Sequence, residues 1–162
     1  MASQETQILD VLEEEGNKSQ TVGPDSVSDF IRNNKMLASI LHLNIRGIKT
    51  NFEHFLVFLE TYSLSEIDVI VLSECHYLET VAQFNITNFT AFYNNTNFNS
   101  YDGLVVFIKS DLNPIFENFK LPVSGITITK ISLNVKNTQI HIYAIYRSPS
   151  SNTNIFLDEM RS

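Results

Sequence analysis

Asp68 to Tyr77 reads DVIVLSECHY: four consecutive apolar residues, Val69 to Leu72, run straight into Ser73-Glu74-Cys75-His76. A strand with one face in water alternates apolar and polar side chains, and this one does not. The run therefore predicts a strand buried on both faces, within a sheet that is covered on both sides. At its mouth stands a carboxylate, Glu74. Such a group is solvated, paired with a cation or bound to a metal ion, because a bare charge away from water is costly. On its own it reads as a loop carboxylate in water, so the residues around it have to decide.

Upstream, ASILHLNI (38–45) alternates as a strand, with Leu41 and Leu43 on one face and Asn44 near its end. TNFEHFLVFLETY (50–62) follows with helical spacing: Phe52, Phe55, Leu56 and Leu59 recur at i, i+3, i+4 and i+7, and Thr50 and Glu53 have the spacing of a capping box. His54, among these aromatics, reads as a helix residue rather than a ligand. Downstream of a long polar loop come FTAFYNN (89–95) and GLVVFIK (103–109), the latter again unalternated. ITITKISLNV (126–135) and QIHIYAIY (139–146) both alternate and flank Lys136-Asn137-Thr138, which predicts a hairpin. NTNIFLDEM (152–160) starts a helix with Asn152 or Thr153 as its cap. The fold class is mixed α/β.

Composition sets the bounds. At 162 residues, with 43% hydrophobic and 18% charged residues, the chain suits one globular domain. The longest apolar stretches are a few residues, too short to span a bilayer as a helix. The first twenty residues lack the basic start and apolar core of a signal peptide, and Cys75 is the one cysteine, so an intracellular, reducing setting is expected. Asn-x-Ser/Thr triplets at Asn85, Asn88 and Asn94 then carry little weight. The formal charge is −7, with seven acids and three bases in residues 1–35 and eleven acids and eight bases in the rest. No basic stripe is visible, which argues against tight non-specific binding to nucleic acid. Residues 1–35, with Glu13-Glu14-Glu15, Gly16 and Gly23-Pro24, read as an acidic, disordered leader; residues 36–162 read as the domain.

Three polar groups fall where apolar strands end: Asn44, Glu74 and the pair Tyr146-Arg147. Clefts in α/β sheets form at such ends, where the loops diverge. The chemistry is coherent. Glu74 suits a hard divalent cation and Asn44 offers a neutral oxygen to the ion or its water, while Mg²⁺ takes one or two carboxylates and keeps the rest of its shell for water and phosphate. Arg147 and the Tyr146 hydroxyl suit a phosphate oxygen.

LHLNIRGIKTNFEHFLVFLE, IDVIVLSECHYL, DGLVVFIKSDL and IHIYAIYRSPSSNTNIFLDEM, in that order, resemble the endonuclease/exonuclease/phosphatase superfamily over about residues 37–160. The closest likeness is to the apurinic-type endonuclease domain of LINE-type (non-LTR) retrotransposons. The resemblance implies a DNase I-like four-layer α/β sandwich and a Mg²⁺- or Mn²⁺-dependent phosphodiesterase acting on DNA. It implies that Glu74 is the metal ligand, that Asn44 belongs to the metal and phosphate site, that Tyr146 approaches the scissile phosphate, and that His76 faces the DNA. Cys75 stands where the family commonly has Thr. As a nucleophile Cys75 is unpromising, because the adjacent Glu74 raises a thiol pKa.

The family's Gly-Asp-x-Asn and Ser-Asp-His segments, expected after Met160, do not occur in the 162 residues. In the family the first supplies the Asp that activates water and the second a His that pairs with the phosphate. The chain is therefore expected to be the N-terminal part of such a domain, to bind its cation weakly and to be inactive alone. It is also expected to supply the first sheet with its helices, leaving an apolar face to the missing half or to self-association. Other functions left open are a non-catalytic remnant or protein-binding adapter, and a superfamily member acting on an abasic site, a phosphoinositide or a sphingolipid head group.

Overall fold

In the computed structural model, the described residues are 29, 38–62, 66–76, 78, 81–94, 102–119, 125–135, 138–159 and 161. The acidic leader, Asp29 apart, lies outside them. The elements are β1 (Ile40–Asn44), α1 (Ile48–Thr61), β2 (Val69–Ser73), β3 (Phe89–Asn94), β4 (Leu104–Lys109), β5 (Ile115–Phe119), β6 (Ile126–Val135), β7 (Thr138–Arg147) and α2 (Thr153–Glu159). A 3-10 turn, Ser110–Leu112, joins β4 to β5.

Two sheets form. In the first, ordered β1-β2-β4-β3, β1 and β2 run parallel, connected through α1, and the other pairings are antiparallel. The second is an antiparallel meander, β5-β6-β7. The unalternated runs now have their cause. Ile70, Leu72, Val105 and Phe107 face α1, packed with Ile48, Phe52 and Phe55. Val69, Val71, Leu104, Val106 and Ile108 point the other way, into a core shared with Ile131, Leu133, Val135 and Ala144 of the second sheet. Each residue of β2 is buried because a helix covers one face and a sheet the other.

This corrects the expectation of one sheet with a bare inner face. The hairpin β6–β7 does not extend the first sheet. It recruits β5, a strand the sequence pattern did not reveal, and lays its apolar face on β2 and β4. Of the large hydrophobics that stay exposed among the described residues, Ile40, Ile115, Tyr143 and Ile145 lie on edge strands of the two sheets, and Val57 and Leu157 on α1 and α2. Among the described residues, the apolar faces of β2, β4 and the hairpin that were expected to be bare cover one another. Two further contacts join the sheets: Phe92 stacks on Phe116 at 4.5 Å, and buried Asn94 donates to the Ile128 carbonyl (3.1 Å) and to Thr129 Oγ1 (3.0 Å).

The start of α1 also differs from expectation. The helix begins at Ile48 with Gly47 as N-cap and no side-chain cap, so Thr50 lies within the first turn and makes no capping box. Backbone carbonyls from the loop after β2 take the N–H groups of Gly47 and Ile48 instead. Asn152 does cap α2 as expected, its Oδ1 accepting the Asn154 N–H at 2.9 Å. At the far end of β2, Asp68 is held by the Ser39 N–H (2.9 Å) and hydroxyl (3.0 Å) and by Lys109 Nζ at 3.3 Å.

Candidate active site

Because β1 and β2 are parallel, their C-terminal ends meet, and the loops beyond them are zipped together through the backbone. The N–H of Ile45 donates to Ser73 O (3.0 Å), that of Gly47 to Glu74 O (2.7 Å), and that of Ile48 to Cys75 O (3.2 Å). A further bond, Cys75 N–H to Gly103 O at 3.2 Å, ties the same loop to the start of β4. This tight seam needs left-handed backbone at Arg46 (φ 49°), Glu74 (φ 54°) and His76 (φ 64°), a conformation non-glycine residues adopt only under constraint. Gly47 (φ 96°) has no alternative: a Cβ there would sit 2.9 Å from His76 Nδ1. Strained backbone held by its surroundings gathers at functional sites, and here it presents Glu74.

The second sheet delivers the partner. Tyr146, opposite Thr127 in the hairpin, packs against the inter-sheet core, and its hydroxyl lies near enough to the Glu74 and Asp102 carboxylates to feel their charge. Partial burial, then the negative charges of Asp102 and Glu74, push the Tyr146 phenol up to about 12. Asp102 is 2% exposed, and it sits just before Gly103 and β4. The sequence pattern did not single it out, since Asp-Gly ahead of a strand reads as an ordinary turn. The one available signal was its position beside a third strand end at the same mouth.

Of the other expected residues, Asn44 is exposed at the end of β1, on the face turned away from α1 as Tyr146 is, and its Oδ1 accepts the Arg46 N–H at 3.1 Å. His76 is half-buried, its ring against Gly47. Arg147 follows Tyr146, so strand alternation places it on the opposite face. Its Nη1 donates to Ser151 O (3.0 Å) and Ser148 O (3.4 Å) in the turn after β7. The fold thus brings Glu74 and Tyr146 together, with Asn44 at the adjacent strand end, and engages Arg147 elsewhere.

Cys75 is fully buried, its Sγ donating to Leu72 O at 3.2 Å. Burial, more than any neighbour, pushes the thiol from 9.0 up to about 12, with the Val105 backbone pulling slightly the other way. The cause is thus desolvation rather than the adjacent carboxylate. Cys75 and Tyr146 both hold their protons more tightly folded than unfolded. Their contribution to stability is complete below the unfolded values, 9.0 and 10.0, and is lost as pH rises toward about 12. The urea midpoint is expected to be unaffected by these two groups below pH 9 and to fall between pH 9 and 12. Iodoacetamide at pH 8 should leave Cys75 unmodified in the folded chain. A midpoint constant to pH 11.5, or alkylation at the rate of a free thiol, would contradict the buried placement.

Among the described residues, no group of three or more His, Cys, Asp or Glu side chains is placed to hold a metal ion. A closed cage of the zinc type is therefore not built from them. What stands at the mouth is oxygen: the half-buried Glu74 carboxylate, Asn44 at the next strand end, and the Tyr146 hydroxyl. That donor set fits a hard divalent ion such as Mg²⁺, which needs one or two carboxylates and keeps waters.

No family model and no curated protein sequence matches the chain. Among solved structures it is similar to D. rerio TDP2 complexed with a single-stranded DNA product, with a TM-score of 0.52 and 11% identity over 77% of this chain and 52% of that one. The chain thus spans about half the length of that neighbour. At this identity the likeness is one of architecture, and the two packed sheets with α1 on the outside form a partial DNase I-like α/β sandwich.

Proposed function

We propose that the chain carries the first part of a Mg²⁺-dependent phosphodiesterase site acting on DNA, of the kind LINE-type retrotransposons use to nick their target, and that these residues alone do not turn over. One observation carries this: the fold brings Glu74, just after β2, and Tyr146, on the second sheet, near each other at a strained, partly open mouth. Glu74 would hold the ion with Asn44 beside it, and the Tyr146 hydroxyl would meet the phosphate. The ion supplies charge neutralisation when bound. With a chain charge of −7, contact with DNA depends on that neutralisation more than on basic side chains. The DNA product in the D. rerio TDP2 crystal structure supports a nucleic-acid ligand for this architecture.

Inactivity rests on the residues present. Ser110-Asp111 is followed by Leu112, not His, and no Gly-Asp-x-Asn occurs in the sequence, so the water-activating carboxylate and its helpers are missing. Such groups act as a unit, and removing one removes nearly all turnover. A polypeptide that completes the site would pair along β7, the edge strand of the second sheet that carries Tyr146, and a second copy of this chain would use the same edge.

One carboxylate with waters binds weakly, so Mn²⁺ is expected to broaden the backbone NMR signals of Glu74 and Asn44 with a midpoint on the order of millimolar. Broadening elsewhere with these two untouched would remove the cation site and leave the protein-binding alternative. In the same buffer, plasmid should not be nicked above background. Robust Mg²⁺-dependent nicking, abolished by Glu74→Ala, would keep the site and overturn the inactivity.

A further inference from the structure

Asn51 lies in the first turn of α1, half-buried, and its side chain turns back on the loop between β1 and α1. Its amide donates to two successive backbone carbonyls, Ile45 O at 2.9 Å and Arg46 O at 3.1 Å. A carbonyl oxygen only accepts, so the two partners themselves fix which end of the amide faces them. The C=O and N–H of a trans peptide unit point opposite ways, so a hold on the carbonyl also aims the amide. Holding Arg46 O aims the Gly47 N–H at Glu74 O, 2.7 Å away. Holding Ile45 O aims the Arg46 N–H at Asn44 Oδ1, 3.1 Å away. Between the two peptide units sits Arg46, left-handed at φ 49°, a conformation that persists only where its surroundings impose it. One side chain thus governs the backbone of Glu74 and the side chain of Asn44, whose Oδ1 keeps a second lone pair for an ion or its water.

We propose that Asn51 is a positioning residue for the mouth: through two successive peptide units it sets the Asn44 side chain and the Glu74 backbone in one geometry. The consequence for cation binding rests on the assignment of Glu74 and Asn44 as the cation's oxygens. Asn51 acts only through the Ile45 and Arg46 carbonyls. Without its amide both peptide units are free to turn, the seam loosens at Gly47, and Asn44 loses the donor that orients it.

Asn51→Ala and Asn51→Asp both remove the two donors, and Leu59→Ala, near the other end of the same helix, serves as a destabilised control. Amide exchange at Gly47 is read against that at Ile131 in β6, so that a general loss of stability cancels. Both Asn51 variants should raise the Gly47 rate relative to Ile131 by roughly tenfold and shift the Asn44 side-chain amide signals, while Leu59→Ala does neither. Mn²⁺ alone is then titrated into the full chain, and the midpoint for broadening at Glu74 should rise several-fold in the Asn51 variants only. An unchanged Gly47 ratio, an unchanged Mn²⁺ midpoint, or the same changes in Leu59→Ala overturns the proposal. If the unaltered chain shows no broadening at Glu74 or Asn44, the cation assignment fails by itself, and the Gly47 ratio and Asn44 signals decide the positioning role. Movement of both supports it, and constancy of either overturns it. Should one Asn51 variant fail to fold, the other is read by the same criteria.

Discussion

Phe107→Ala is expected to lower the unfolding free energy by about 3–5 kcal/mol, comparable to the whole net stability of a small domain. Phe107 is fully buried in the middle of β4, stacked on Phe52 of α1 at 6.0 Å between ring centroids, and Phe52 in turn meets Phe84 edge-on at 5.2 Å. Removing the Phe107 ring leaves a cavity under α1 that the rigid β2 and β3 backbones on either side of β4 cannot collapse into. The melting temperature should drop by roughly 10–20 °C, at about 4 °C per kcal/mol. Val57→Ala, on the exposed face of the same helix (60% exposed), should change it by no more than a degree or two. Comparable effects at the two positions would mean that α1 does not lie on the first sheet as described.

Most of the first core was legible from pattern alone. The helical spacing of Phe52, Phe55, Leu56 and Leu59 and the apolar run Val69 to Leu72 each needed only local periodicity, and both elements formed. The hairpin was equally plain, since β6 and β7 alternate and pair in register from Val135–Thr138 to Ile126–Arg147. What escaped was set by distant partners. In β5, IFENF follows Pro114 and carries Glu117 and Asn118, so nothing local marks it as a strand. Its pairing with β6 is what makes a second sheet. Thr50 and Glu53 had the right spacing for a cap, yet the loop after β2 supplied carbonyls to Gly47 and Ile48 first. Asp102 escaped for the same reason. Its burial is created by residues far away in sequence, and an Asp-Gly pair gives no hint of that. Glu74 and Tyr146 were found because strand ends are recognisable; that they lie near each other depends on the second sheet lying over the first.

That dependence gives the second large effect. Ile131 is fully buried at the centre of β6, opposite Ile142 in the hairpin and within the core shared with Val69, Val71, Val106 and Ile108. Ile131→Ala is expected to cost about 2–5 kcal/mol, the range for deleting a large aliphatic side chain from a packed interior. Unlike Phe107→Ala, it attacks the contact that carries Tyr146 to Glu74, so it should be felt at the mouth as well as in the melt. Where the variant still folds, the Tyr146 phenol should titrate below the value of about 12 that burial and the two carboxylates impose, moving back toward 10.0. Ile131→Val, a smaller deletion costing about 0.5–1.5 kcal/mol, should shift both readouts in the same direction by less. Phe107→Ala, examined under conditions where it remains folded, should leave the Tyr146 titration in place, because the core it damages lies on the other side of the first sheet. A Tyr146 titration that ignores Ile131→Ala but responds to Phe107→Ala would mean that the second sheet does not hold the phenol. The joining of Glu74 to Tyr146 across the two sheets would then have to be abandoned.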